Sequence, residues 1–122
     1  MAISIAGGSV SPSTALTLNS QTGTTYTFVL TDANNTLVTA SNASAQTYSI
    51  PTNASVAYPI GSILNIIAIG AGQVTITAAT PATTTIASTG ATSASPKLRV
   101  QYSVATCIKV AADTWYVTGD IV

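Results

Sequence analysis

Apolar and polar side chains alternate with a period of two along much of the chain, which is the pattern of a strand with one buried face. From Thr24 to Thr31 (TTYTFVLT), Tyr26, Phe28 and Leu30 share one face, and Thr25, Thr27 and Thr31 share the other. Gln73 to Ala78 (QVTITA) repeats the arrangement, with Val74 and Ile76 inward and Thr75 and Thr77 outward. The cleanest alternation is Lys97 to Tyr102 (KLRVQY), which predicts a strand with Leu98, Val100 and Tyr102 in the core. Ser62 to Ile69 (SILNIIAI) is apolar on both sides of the pleat, as expected of a strand with core on one face and a neighbour or partner on the other.

The breaks between these runs predict the connections. Gly70-Ala71-Gly72 offers permissive backbone for a hairpin into Gln73. A second hairpin is expected to join Thr106–Val110 (TCIKV) to Thr114–Thr118 (TWYVT) across Ala111-Ala112-Asp113, with Asp113 bonding its own backbone in the turn. Pro51, Pro59, Pro81 and Pro96 fall between strands, where a missing amide donor does little harm. Helix formers are scarce while Thr, Val, Ile and Tyr are abundant. The expectation is an all-β chain, a compact antiparallel β-sandwich or jelly-roll-like barrel.

Two regions stand apart. Residues 1–22 contain two short strand-like pieces around Gly7-Gly8 and Pro12, and read as an extended N-terminal arm, with residues 23–122 forming the body. The arm's apolar positions Ile3, Ile5, Leu16 and Leu18 are its candidate contacts with something outside the domain. Thr80 to Ser95 is poor in large apolar residues and predicts a long loop, with Thr84–Ala87 as a short strand. No internal repeat is visible.

Composition narrows the function. The chain has 122 residues, three basic and three acidic side chains, no His and one Cys, and it is 5% charged with no net charge. Its 36 Ser and Thr residues must supply most of the polar surface. Lys97, Arg99 and Lys109, offset by Asp32, Asp113 and Asp120, are too few to track a phosphate backbone, so no nucleic-acid partner is expected. Three scattered Asp and one Cys predict no metal site and no cofactor. Without His there is no hydrolytic triad, and the chain is not expected to be an enzyme. Cys107, between apolar neighbours, reads as a buried inert thiol. Ile60 to Gly70 is too short to cross a bilayer, and no secretory signal is apparent, so no membrane partner is expected and the Asn-x-Ser/Thr triplets at Asn34, Asn42 and Asn53 are discounted.

Near-zero charge combined with two-sided apolar strands suits permanent burial in a symmetric assembly. Tyr58, Ile63 and Ile67 are the candidate residues for packing between subunits. Trp115 and Tyr116 point to opposite faces, one expected in the core and the other in an interface, or else on a platform for sugars. Outward Thr pairs such as Thr75 and Thr77 can order water, but along the sequence they do not recur at a fixed period.

From Tyr26 onward the chain resembles a small β module of bacteriophage virion proteins, found at the ends of tail fibres and in short capsid-associated proteins. The pieces that carry the resemblance are Tyr26–Asp32 (YTFVLTD), Asn42–Pro51 (NASAQTYSIP), Ser55–Gly61 (SVAYPIG), Gly70–Ile76 (GAGQVTI), Lys97–Ser103 (KLRVQYS) and Trp115–Asp120 (WYVTGD), in that order. Residues before Tyr26 and the Thr80–Ser95 loop lie outside it. The resemblance implies a structural protein without catalytic residues. It would be a capsid decoration, cement or head-fibre protein, made in the host bacterial cytoplasm and placed on the virion's capsid surface as a homotrimer bound to the major capsid protein. The alternative is a tail-fibre or receptor-binding module that presents Trp115 or Tyr116 to host glycans.

Overall fold

The computed structural model describes residues 3–5, 8–10 and 15–122, the first two stretches as backbone only. The strands are β1 (Ile3–Ile5), β2 (Gly8–Val10), β3 (Thr17–Gln21), β4 (Thr25–Thr27), β5 (Thr36–Ala40), β6 (Gln46–Ile50), β7 (Ile63–Ala68), β8 (Val74–Ala78), β9 (Thr85–Ser88), β10 (Val104–Ala111) and β11 (Thr114–Gly119), with a 3-10 turn at Leu30–Asp32. They form a six-stranded sheet in the order β3-β5-β7-β10-β11-β9, a three-stranded sheet β4-β6-β8, and the separate pair β1-β2. The all-β class holds.

The pairing is mixed rather than antiparallel. From β3 to β8 the chain visits the two sheets alternately, so every return to a sheet runs in the direction of the last visit. Consequently β3-β5-β7 and β4-β6-β8 are parallel. Only β7-β10 and β10-β11 within the large sheet are antiparallel, and β9 adds to β11 in parallel. Three stacked coils result, β3/β4, β5/β6 and β7/β8. Their turns bond one another: Ser41 N–H donates to Gln21 O at 2.9 Å, Ile69 N–H to Ala40 O at 2.8 Å, and Gly72 N–H to Asn42 O at 2.8 Å. Gly70 and Gly72 therefore serve a different purpose from the expected hairpin. They carry the chain from the large sheet to the small one, and a Cβ at either would fall on the backbone of Asn42 or Ser44 in the turn stacked beside it.

The core lies where the two sheets face each other. Phe28, Tyr48, Ile50 and Ile76 meet Val38, Leu64, Ile66, Cys107, Trp115 and Val117, all buried. Tyr26, Phe28 and Tyr48 form an aromatic trio with ring centroids 5.6–6.0 Å apart, a spacing at which aromatic rings attract.

Several sequence expectations need correction. The strand predicted over Thr24–Thr31 stops at Thr27, because Asp32 bends the chain back. Its Oδ2 accepts the Val29 N–H at 2.9 Å and the Tyr26 hydroxyl at 2.6 Å, and Oδ1 accepts Asn19 Nδ2 at 2.7 Å. Leu30 is left exposed. Lys97–Tyr102 is not a strand despite its alternation. Lys97 and Leu98 bridge β8 and the C-terminal residues once each, after which the Arg99–Asp120 ion pair and the positive φ of Tyr102 (72°) turn the chain away. Leu98 is buried, while Val100 and Tyr102 are exposed. Residues 17–21 of the expected arm belong to the body, where β3 lies in register along β5. The β10–β11 hairpin forms as expected, with a register shift between Lys109 and Ala111. Its Asp113, however, accepts from Asn53 N–H at 2.9 Å and Thr84 Oγ1 at 3.2 Å rather than from its own turn.

Burial gives the fold an alkaline limit. It pushes Tyr48 and Tyr26 up to about 12 from 10.0, the latter helped by the Asp32 carboxylate, and Cys107 up to about 12 from 9.0. Raised acids favour the folded state while neutral and oppose it once the unfolded chain ionises. Stability is expected to stay level from neutrality to about pH 9 and to fall steadily between pH 9 and 12, as read from urea midpoints across that range.

Candidate functional site

Alternation that sends Val38, Leu64, Ile66, Cys107 and Val117 to the core sends their neighbours to the opposite side of the six-stranded sheet. The register aligns these outward residues in rows. One row runs Leu18, Leu37, Asn65, Thr106 and Thr118 from β3 to β11. Another runs Ser20, Thr39, Ile67 and Val104, and a third Ile63, Ile108, Tyr116 and Ala87. Leu18, Tyr116 and Val104 are 65%, 51% and 41% exposed, while Leu37, Ile63, Ile67 and Ile108 are half-buried. Six strands of four to eight residues, about 4.8 Å apart, thus present a mixed face on which Leu18, Leu37, Ile63, Ile67, Val104, Ile108 and Tyr116 are interleaved with Thr39, Asn65, Thr106 and Thr118.

Among the described residues no charged side chain lies on this face. Asp32 and Lys109 are buried on the inner side. Arg99 and Asp120 pair at the end of the sheet, Nε to Oδ1 at 2.7 Å and Nη2 to Oδ2 at 3.1 Å, and Ser103 Oγ donates to Oδ2 at 2.7 Å. These partners hold the Asp120 carboxyl below the ordinary carboxylate range. On the face itself, Thr106 Oγ1 donates to Asn65 Oδ1 at 2.7 Å. Two central polar side chains thus satisfy each other, which lowers the cost of removing water from between two such surfaces.

The outer side of the small sheet is chemically different. Its register stacks Thr25, Thr47 and Thr75 in one rank and Thr27, Ser49 and Thr77 in the next. The Thr pairs that do not recur along the sequence therefore recur across strands, and this side is hydroxylated throughout, while the large sheet's outer side mixes aliphatic residues with Thr and Asn.

Ile63 and Ile67 both lie on the large sheet's outer face, as does Leu18 at its β3 edge. Leu16, just ahead of β3, is 48% exposed. Ile3 and Ile5 are on β1, whose backbone pairs with β2, and their side chains lie outside the described residues. Tyr58 does not belong with these. It is 2% exposed, its ring meets Trp115 edge-on at 5.4 Å, and its hydroxyl donates to Val29 O at 2.7 Å, so it is part of its own chain's core. Sequence reasoning anticipated that one of Trp115 and Tyr116 would face outward, and missed Leu37, Val104 and Ile108 as members of the surface. The usable signal was β10, apolar on both sides of the pleat like β7.

Trp115 is buried, so a sugar platform would have Tyr116 alone. Among the described residues no group of three or more Asp and Cys could hold a metal ion. A cleft lined by Thr77, Pro81, Thr84 and Ser95 encloses about 160 Å³, below the ~300 Å³ of an ordinary ligand pocket, and no titratable side chain lines it. Comparison with known protein families, curated proteins and solved structures finds no match.

Proposed function

We propose that the chain is a structural building block of a phage virion, a capsid decoration or cement protein that assembles with copies of itself, as a trimer, and binds the major capsid protein. The observation that carries this reading is the uncharged outer face of the six-stranded sheet, where Leu18, Leu37, Ile63, Ile67, Val104, Ile108 and Tyr116 point outward among Thr and Asn side chains, set against a face of Thr and Ser ranks on the small sheet. A molecule with two such different faces has a built-in orientation. The large sheet's face packs against copies, with Ile63, Ile67, Ile108 and Tyr116 in contact, and the hydroxylated face remains in water.

Attachment to the shell is assigned to the N-terminal segment. It precedes β3, and β3 and β4 are each one of the two edge strands of their sheets, the positions at which strand addition occurs. Weak contacts of this kind gain from many copies held at once. The body begins at β3, so the informative deletion removes residues 1–14 and not more. The truncated protein is expected to remain folded and oligomeric but to be absent from purified virions, as read by quantitative mass spectrometry of the particles. Full occupancy by the truncated protein would refute the assignment. A receptor-binding role has one supporting observation, the exposed Tyr116 ring, and predicts glycan binding that Tyr116→Ala abolishes.

A further inference from the structure

Lys109 is buried without a carboxylate partner among the described residues. It points inward from β10 and is 2% exposed. Its Nζ donates to Asn53 Oδ1 at 2.6 Å and to Tyr58 O at 2.7 Å, both neutral acceptors. Among the described residues the ion pair is Arg99–Asp120, and no carboxylate lies within that distance of Nζ. A buried ammonium without a counter-ion carries a large desolvation penalty.

The acceptor is also an electrophile. With a carbonyl bond of about 1.23 Å, the 2.6 Å contact leaves Nζ roughly 2.9 to 3.8 Å from Asn53 Cγ, overlapping the ~3–3.5 Å of a near-attack geometry. A carboxyl group is anchored to the same residue, since Asp113 Oδ1 accepts the Asn53 backbone N–H at 2.9 Å and is steadied by Thr84 Oγ1 at 3.2 Å. Asn53 and Asp113 are half-buried, so the amide nitrogen can leave towards water. Nucleophile and electrophile are therefore in contact, on β10 and the turn after β6, and a carboxylate of the β10–β11 loop is held on the backbone of the electrophile.

We propose that Lys109 and Asn53 join in an intramolecular isopeptide bond, with Asp113 as the proton carrier. The Nζ–Cγ bond forms and the Cγ–Nδ2 bond breaks. Of the three protons on the Lys109 ammonium, one stays on the new amide. The other two are transferred to Nδ2, which departs as an ammonium ion, and Asp113, which does not touch Nζ beforehand, relays them once attack has drawn Nζ onto Asn53. Charge is conserved and nothing is oxidised or reduced. In the product the amide N–H still faces Tyr58 O, the buried charge is gone, and the segment after β6 is tied covalently to β10. The bond forms within one chain and so does not depend on assembly.

Intact-mass measurement on the purified full-length chain is expected to fall short of the sequence mass by one ammonia. Trypsin is expected to leave Lys109 uncut and to release a branched peptide that joins it to Asn53. Lys109→Met, Asn53→Ala and Asp113→Asn are expected at their full sequence masses. Because the wild-type mass decides the matter, a variant that fails to fold does not obscure it. Wild-type protein at full mass, with Asn53 and Lys109 recovered in separate peptides, would overturn the proposal. So would ammonia loss without the branched peptide, which is succinimide formation at Asn53-Ala54. An Asp113→Asn protein that links as completely as the wild type would overturn the role given to Asp113.

Discussion

A single Ile67→Asp substitution is expected to convert the proposed trimer into monomers without unfolding the chain. Ile67 is central on the large sheet's outer face, between Thr39 of β5 and Val104 of β10. Its side chain points away from the core and is half-buried, so in the free subunit a carboxylate there keeps contact with water, and the urea midpoint should fall only by the modest cost of Asp in a strand, about 1 kcal/mol. In the assembly the same carboxylate would be desolvated with no cation on the opposing face, at a cost of several kcal/mol. A loss of about 3–4 kcal/mol per contact weakens association roughly 200- to 1,000-fold, and symmetry repeats it at each interface. Sedimentation velocity at micromolar concentration reads the outcome. Thr47→Asp, on the hydroxylated side of the small sheet, is the matching control and should leave the oligomer intact.

Trp115→Ala is expected to produce the largest loss of stability of any single truncation in the chain. The indole is the largest side chain fully removed from solvent. It packs edge-on against Tyr58 at 5.4 Å and, from β11, lies across the register from Lys109 on one side and Ile86 on the other. Emptying that site removes both the transfer free energy and the contacts of the surrounding side chains, about 3–5 kcal/mol in comparable cores. A domain of this size holds about 5–15 kcal/mol in total, so the variant should unfold at far lower urea and lose assembly with it. Tyr116→Ala, one residue along and on the opposite face, should shift the urea midpoint little and weaken association instead. The contrast between adjacent residues separates folding from assembly in one experiment.

What could be read from the sequence follows from how local each pairing is. The β10–β11 hairpin was legible because both arms alternate and only a few residues separate them. The single-sided strand β8, the buried Cys107 and the opposed Trp115 and Tyr116 were legible for the same reason, as each depends on a period of two within a few residues. The stacked coils were not. Thr17 lies against Thr36 but Leu37 lies against Asn65, so successive coils differ in length and leave no fixed period to detect. Gly70 and Gly72 signalled a turn correctly, but a hairpin turn and a coil corner ask for the same residues, and only the packing against Asn42 and Ser44 distinguishes them.

The candidate surface was half legible. Ile63 and Ile67 stood out because β7 is apolar on both sides, whereas Tyr58 stood out as an apolar loop residue and proved to be a core residue with its hydroxyl paired. Lys97–Tyr102 shows the opposite failure, an alternation that no neighbouring strand extends past Leu98. Lys109, read from sequence as one of three scattered cations, acquires its meaning only from Asn53 and Asp113, which are distant or unremarkable along the chain.

The account stands on an uncharged sheet face that is covered by copies of the same chain. Sedimentation velocity of the unmodified full-length protein across a hundredfold range of micromolar concentrations tests that directly. A single oligomeric species, a trimer that persists on dilution, is the predicted result. A monomer throughout the range would contradict the account.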